Sequence, residues 1–212
     1  LSSVHVHTKL CDGKNTLEEL ALSAWKAGLK TLGFSGHSHT PHDIEYCMTN
    51  ARTQLYRAQV AKLKERYAGK LDILCGLEWD LYSDDAVAAK KPTILGHFDL
   101  IKKVNGSGKF FDESDPRYTA AAHKALEAAA QAGCVLEVNT SSVYRGFRED
   151  YFPSPAILKE WLTMGGNVTI TADAHEAKAL TFGFEEAAAQ LKELGYTRVL
   201  VLGKDGFAPC EL

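Results

Sequence analysis

Asn167-Val168-Thr169-Ile170-Thr171-Ala172-Asp173 is a β-branched run too short for a helix, followed at once by Ala174-His175. It reads as a buried strand that ends in polar side chains. The same pattern recurs along the chain. Strand-like segments lie at 3–7, 31–35, 71–78, 93–97, 134–139, 167–173 and 197–202. Between them, 16–27, 50–68, 118–132, 155–164 and 185–194 place apolar residues three and four apart, the helical period. Thr16 with Glu19 forms a capping box, Gly28 and Gly133 close helices, and Ser154-Pro155 opens one. Strands alternating with helices pair in parallel by crossover, which predicts an α/β domain. Residues 79–92 break the rhythm, being too short for a crossover helix. Gly203-Lys204-Asp205-Gly206, set between apolar runs, predicts a closing hairpin.

Composition excludes several classes. The 212 residues carry 24 Lys+Arg against 27 Asp+Glu, with 45% hydrophobic residues and six prolines. Disorder and collagen-like repeats are excluded, and the length sustains a sizeable core. A net charge of −3 offers no basic face for a nucleic-acid backbone, so no nucleic-acid partner is expected. Cys11, Cys47, Cys75, Cys134 and Cys210 are odd in number, dispersed and without a C-x-x-C pair, which predicts reduced thiols. Neither a basic-then-apolar leader nor a long uncharged apolar run is seen. A soluble cytoplasmic protein is therefore expected.

The eight histidines carry the chemistry, seven of them before residue 124. In His5-Val6-His7, residues two apart on a strand face one side, so both imidazoles point together. Asp173-Ala174-His175 repeats that geometry with a carboxylate and an imidazole. His37 follows the second strand, Glu78 ends the third, His97 ends the fourth, and Asp12 lies in the first loop. Strand ends of α/β barrels are where sites are built. A part-buried acid such as Glu78, with no basic neighbour in sequence, is costly unless a cation neutralises it. The set predicts a polynuclear metal site for zinc, manganese, iron or cobalt. His123, within a helical pattern, is expected at the surface. Trp25, Trp79, Trp161 and Tyr144 are expected to pack.

HVHTKLCDG (5–13), GFSGH (33–37), GLEWD (76–80), ILGHFDLI (94–101), LEVNTSSVYRG (136–146), YFPSP (151–155) and ITADAH (170–175) occur in this order over nearly the whole chain. The series resembles the polymerase-and-histidinol-phosphatase (PHP) family, above all its histidinol-phosphate phosphatase branch. That resemblance implies a single domain over 1–212 with a distorted seven-stranded (β/α) TIM-like barrel and two or three divalent or trivalent metal ions. His5 and His7 would hold the first ion with Glu78 and Asp173. Glu78 would bridge to a second, which also takes His97, and Asp12, His37 and His175 would hold the third. Arg145 would bind phosphate, its guanidinium fork matching two oxygens. Arg148 is a further candidate, alternatively paired with Glu149 or Asp150. His39 and His42 lie in a loop that could touch substrate.

One departure is implied too. The family carries a strand ending in a Ser-Val-His-like motif between the Glu78 and His97 segments, and nothing in 79–92 matches it. A strand-containing segment is therefore either truly deleted there or missing from this sequence, and the second is favoured because every other ligand is in place.

The resemblance implies hydrolysis of L-histidinol phosphate to L-histidinol and phosphate through a metal-bridging hydroxide, with Glu78, Asp173 and Arg145 as the catalytic set. Two alternatives stand beside it. One is a phosphoesterase of the same family acting on nucleotides or phosphodiesters. The other is a metal-binding regulatory module without turnover.

Overall fold

The computed structural model describes residues 1–40, 45–80 and 90–212. The chain divides into two compact units. The first comprises Leu1–Asp80, Thr171–Phe182 and Val201–Ala208. Its sheet pairs β1 (Ser2–Ser3), β2 (Thr31–Phe34) and β3 (Asp72–Cys75) in parallel, in that order. Every residue of β2 is buried, as the short apolar run predicts. Gly33 is required there, because a Cβ would stand 2.9 Å from the Val4 backbone.

Helix α1 (Leu17–Lys26) opens with the complete Thr16/Glu19 capping box and buries Leu17, Leu20, Ala21 and Ala24 along one stripe. Full burial of a leucine such as Leu20 contributes about 1.5–3 kcal/mol. Helix α2 (Asn50–Arg66), capped by Thr49, buries only Tyr56, Val60 and Leu63, a narrower stripe at the same spacing.

Strand ends differ from the expectation. The segments at 3–7 and 71–78 are regular only to Ser3 and Cys75, and then continue as isolated bridges. Phe34 pairs with Cys75 and, after a break, His37 with Glu78 in the same register. Val6 is gripped on two sides. Its N–H donates to Ser35 Oγ (3.0 Å) and its carbonyl accepts from Ser35 N (3.0 Å). On the other side it bridges Ala174, whose N–H donates to His5 O and whose carbonyl accepts from His7 N, both at 2.9 Å. The ladder is given up where backbone is needed to aim histidines.

The second unit comprises Leu81–Ile170, Gly183–Leu200 and Pro209–Leu212. Its sheet is ordered β4 (Ile94–Leu95), β5 (Val135–Asn139), β6 (Val168–Thr171), the last residue of β6 falling in the first unit. Helix α3 (Pro116–Ala132) starts at the Asp115 cap with Pro at its first position and closes on Gly133 at φ 72°. A short α4 (Ser141–Tyr144) follows β5, where the sequence suggests only a loop. Helix α5 (Pro155–Thr163) buries Ile157, Leu158 and Trp161, and α6 (Phe184–Leu194) buries Phe184, Ala187 and Leu191. Two 3₁₀ turns, Leu100–Val104 and Gly106–Gly108, fill a region without clear periodicity.

The closing hairpin is present as β7 (Arg198–Gly203) and β8 (Gly206–Glu211), and it contributes residues to both units. Its two-residue loop is Lys204-Asp205, with Gly206 at φ 105° starting the return strand. The fold is mixed α/β with parallel pairing, as expected. The strand ladders form two three-stranded sheets and one hairpin; among the described residues no ladder joins seven strands into a ring. The 79–92 segment, where the sequence breaks the strand–helix rhythm, lies between β3 and β4. Part of it (81–89) lies outside the described residues.

Trp161 is buried, but Trp25 and Trp79 are nearly half exposed, against the packing expectation. Trp25 offers its ring face to Lys70 instead. Among the described residues no helix is long and apolar enough to cross a membrane.

Candidate metal centre

Seven of the eight expected ligands fall in the first unit: His5, His7, Asp12, His37, Glu78, Asp173 and His175. His5 and His7 are buried on the irregular extension of β1, and Glu78 and Asp173 are nearly so. His5 Nε2 stands 3.4 Å from Glu78 Oε2 and 3.6 Å from Asp173 Oδ1. His7 Nε2 stands 3.3 Å and 3.1 Å from the same two atoms. His37 Nδ1 is 3.0 Å from Glu78 Oε2, and His37 Nε2 is 3.8 Å from Asp12 Oδ2. His7 and His175 stack, ring centroids 4.1 Å apart and planes inclined by 13°.

These separations have a simple meaning. Two donors each about 2.1 Å from one ion stand about 3.0–3.4 Å apart when the angle at the ion is tetrahedral or square. Most of the imidazole–carboxylate distances fall in or near that range. Two groups lying wholly within this unit have ligand atoms all within 4.8 Å of one another: His7, Asp12, His37 and His175, and His5, His7 and Asp173. His7 belongs to both, whereas the resemblance assigned it to one ion only.

A second observation agrees. His175 Nδ1 lies 3.0 Å from the Asp173 carbonyl, so it carries the proton and donates it there. Its Nε2 then presents a lone pair to Asp12 Oδ2 at 2.9 Å. Two acceptors face each other, and only a proton or a cation between them makes the contact favourable. His7 Nε2 and His37 Nδ1 are also buried with no hydrogen-bond partner among the described residues. Buried polar atoms left unmatched are costly, and a metal ion satisfies them. The donor set, imidazole nitrogen and carboxylate oxygen, fits zinc, manganese, iron or cobalt.

Electrostatics follow the same lines. Burial alone would push the His7 imidazole down, but the Asp12 and Asp173 carboxylates outweigh it and hold it well above its ordinary value. Burial opposes ionisation of Asp12 and Asp173 too, yet the facing histidines keep both carboxyls below the ordinary range. His37 is pushed down, chiefly by burial. Without a cation the cluster holds its carboxylates charged by borrowing protons onto imidazole.

Loop 8–13 shapes one side. Cys11 N and Gly13 N both donate to Thr8 O, at 2.9 and 3.0 Å. The turn packs so closely that a Cβ on Gly13 would stand 2.5 Å from His7 C and O. Two neighbours were not singled out from sequence. Cys11 Sγ lies 3.8 Å from His7 Nδ1, and its signal is the four-residue spacing after His7. Tyr46 sets its ring edge-on to His37 at 4.7 Å while its hydroxyl donates to Asp80 Oδ2 (2.9 Å). No local pattern marks Tyr46. His39 is exposed, and among the described residues no hydrogen bond or ion pair ties it to the cluster. His42 lies outside the described residues.

The second unit holds His97, Arg145 and Arg148. His97 adopts φ 26°, with its N–H donating to the fully buried Glu137 Oε2 (2.8 Å). Arg145 caps α4, is exposed, and lies with its guanidinium carbon 5.1 Å from the Phe147 ring centroid. Arg148 is occupied. Its Nε donates to Asp150 Oδ1 (3.0 Å), and its Nη2 is 3.1 Å from Glu113 Oε1.

No protein-family model matches the sequence. Over 248 aligned positions, covering 92% of this chain and 94% of the relative, it is 25% identical to a Deinococcus radiodurans protein named "Probable histidinol-phosphatase". The alignment is longer than the chain, so the relative carries segments that this chain lacks. Among solved structures, a Lactococcus lactis histidinol phosphate phosphatase in complex with zinc, L-histidinol and phosphate superposes with a TM-score of 0.72 at 15% identity. The match covers 98% of each chain. A candidate histidinol phosphatase of Listeria monocytogenes gives 0.74 at 14% identity, over 88% of this chain and 99% of that one. At these identities the structural likeness is one of fold, and the motif series and the Deinococcus alignment add the sequence link. The chain is thus similar in sequence to a protein named probable histidinol-phosphatase and shares the fold of solved histidinol phosphatases.

Proposed function

We propose that this chain is a metal-dependent phosphomonoesterase that hydrolyses L-histidinol phosphate to L-histidinol and inorganic phosphate. The observation that carries the reading is the His5–His7–Glu78–Asp173 cluster, whose donors stand at the spacing of atoms that share an ion. The Deinococcus relative named "Probable histidinol-phosphatase" and the Lactococcus fold neighbour complexed with L-histidinol and phosphate support this choice of substrate.

His5, His7, Glu78 and Asp173 would hold one ion, Glu78 and His97 a second, and Asp12, His37 and His175 a third. Zinc, manganese, iron and cobalt all suit these donors. When bound, the ions supply Lewis acidity, neutralising phosphate charge and lowering the pKa of water to about 7. The chain's own residues do the rest. Glu78 and Asp173 provide fixed negative charge against four clustered imidazoles. Arg145 presents a planar fork to two phosphate oxygens, the electrostatic help that phosphoryl transfer needs most. Arg148, held by two carboxylates, is assigned to the loop and not to the substrate. His39 takes a non-essential loop role; His42 lies outside the described residues.

The same reading includes a single domain, a seven-stranded (β/α) barrel and a cytoplasmic enzyme for a small phosphorylated substrate. A panel of monoesters and diesters tests the substrate. The metal-loaded protein is expected to give its highest kcat/KM with L-histidinol phosphate. A preference for nucleoside monophosphates or bis(p-nitrophenyl) phosphate would overturn the assignment.

A further inference from the structure

Lys102 is a fully buried lysine in the second unit, on the 3₁₀ turn that follows His97. Its ammonium stands 2.8 Å from Asp150 Oδ2 and 3.1 Å from Asp99 Oδ2, over the Phe152 ring. Burying a lysine is expensive, and two carboxylates in hydrogen-bond range are what make it tolerable. Each carboxylate then does a second task. Asp99 Oδ2 accepts from Ser154 N (2.9 Å) at the start of α5. Asp150 Oδ1 accepts from Arg148 Nε, and the Asp150 carbonyl accepts from Ser142 Oγ at 2.6 Å.

Ser142 closes the circuit. Its carbonyl accepts from Phe147 N (2.9 Å) and Arg148 N (3.3 Å), which folds 142–148 into a compact loop. Arg145 sits on that loop, its guanidinium resting against Phe147. Arg145 itself has no ion pair among the described residues. Its position is therefore set by the loop, and the loop is tied through Asp150 to Lys102.

We propose that Lys102 is a positioning residue for phosphate recognition. It fixes the 142–150 loop through Asp150 and so presents Arg145 to the phosphoryl group. The proposal rests on the reading of Arg145 as the phosphate-binding arginine. Breaking the Lys102–Asp150 contact should loosen the loop and weaken phosphate binding while leaving the metal ligands intact.

The test uses inorganic phosphate as probe and metal-loaded protein, with binding followed by calorimetry and metal content by mass spectrometry. Arg145→Ala, Lys102→Met, Asp150→Asn and the Lys102→Met/Arg145→Ala double variant are compared. Arg145→Ala and Lys102→Met should each raise the phosphate Kd about tenfold, a size suited to one charge-assisted contact. In the double variant the effects should not add, since Lys102 acts only through Arg145. In turnover Lys102→Met should raise KM far more than it lowers kcat, with metal content unchanged. Amide exchange across 142–150 should quicken.

If Arg145→Ala weakens phosphate but neither Lys102→Met nor Asp150→Asn does, the positioning role is wrong and the Arg145 reading survives. Additive effects in the double variant overturn it as well. If Arg145→Ala leaves phosphate binding unchanged, the Arg145 reading fails and this proposal fails with it. Should Lys102→Met not fold, Asp150→Asn, which keeps side-chain shape, carries the same comparison with Arg145→Ala.

Discussion

His7 Nε2 and Asp173 Oδ1 stand 3.1 Å apart although 166 residues of sequence separate them, because Ala174 is hydrogen-bonded between His5 and His7. The two i,i+2 pairs interlock through one backbone bridge. His5 and His7 flank Val6, Asp173 and His175 flank Ala174, and Val6 pairs with Ala174. The bridge thus aims four donors at a common point before any ion arrives, the preorganisation that tight metal sites need.

Asp173→Ala removes a carboxylate that faces both His5 and His7. Activity should fall by about 100-fold or more, and bound metal should fall with it. Metal analysis on the folded variant is the check. Full metal content would show that the ligand set is wrongly drawn.

Metal removal should also cost stability. Among the described residues His7 Nε2 and His37 Nδ1 are buried beside carboxylates without a well-formed hydrogen bond, so the site depends on what stands between them. Metal present at about 100 times its Kd stabilises by about 2.7 kcal/mol. For a chain of this size that shifts Tm by about 5–10 °C. Calorimetry with and without a chelator measures it, and an unchanged Tm would count against a built site.

Gly13→Ala tests the loop that carries Asp12. The new methyl meets His7 C and O at 2.5 Å, backbone atoms that cannot step aside. A loss of about 1–3 kcal/mol is expected from overpacking, together with weaker metal binding. Wild-type stability and metal content would show that the turn is looser than described.

A pH effect is expected away from the site. His123 on α3 is hydrogen-bonded to Glu160 of α5 and stands 3.5 Å from Glu127, and the Glu160 hydrogen bond raises its pKa. A raised folded-state pKa stabilises fully below the unfolded value of about 6.5 and is lost as pH rises through the folded value. The Tm of wild type should therefore exceed that of His123→Gln at about pH 6, and the gap should close by about pH 9. A gap that widens with pH would reverse the sign and refute the pairing.

Much of this was legible in the chain. Period and caps placed the helices to within two residues, because Thr16/Glu19, Ser154-Pro155 and Gly133 are local devices that act locally. The ligand pairs were legible because a strand's two-residue alternation turns spacing into direction. The strands themselves were over-extended, at 3–7 and 71–78, because apolar β-branched residues look alike in a regular ladder and in an isolated bridge. Lys102 carried no mark of burial, since its partner Asp150 arrives from another part of the chain. Tyr46 escaped for the same reason. By residue type alone Trp25 and Trp79 belong in the core, and their exposure shows how weak that signal is.

The most direct test is phosphate release from L-histidinol phosphate as metal is titrated into metal-free protein. Release should be absent without metal, rise with added zinc or manganese, and saturate at two or three ions per chain. No release at any loading, with the ions demonstrably bound, would contradict the account.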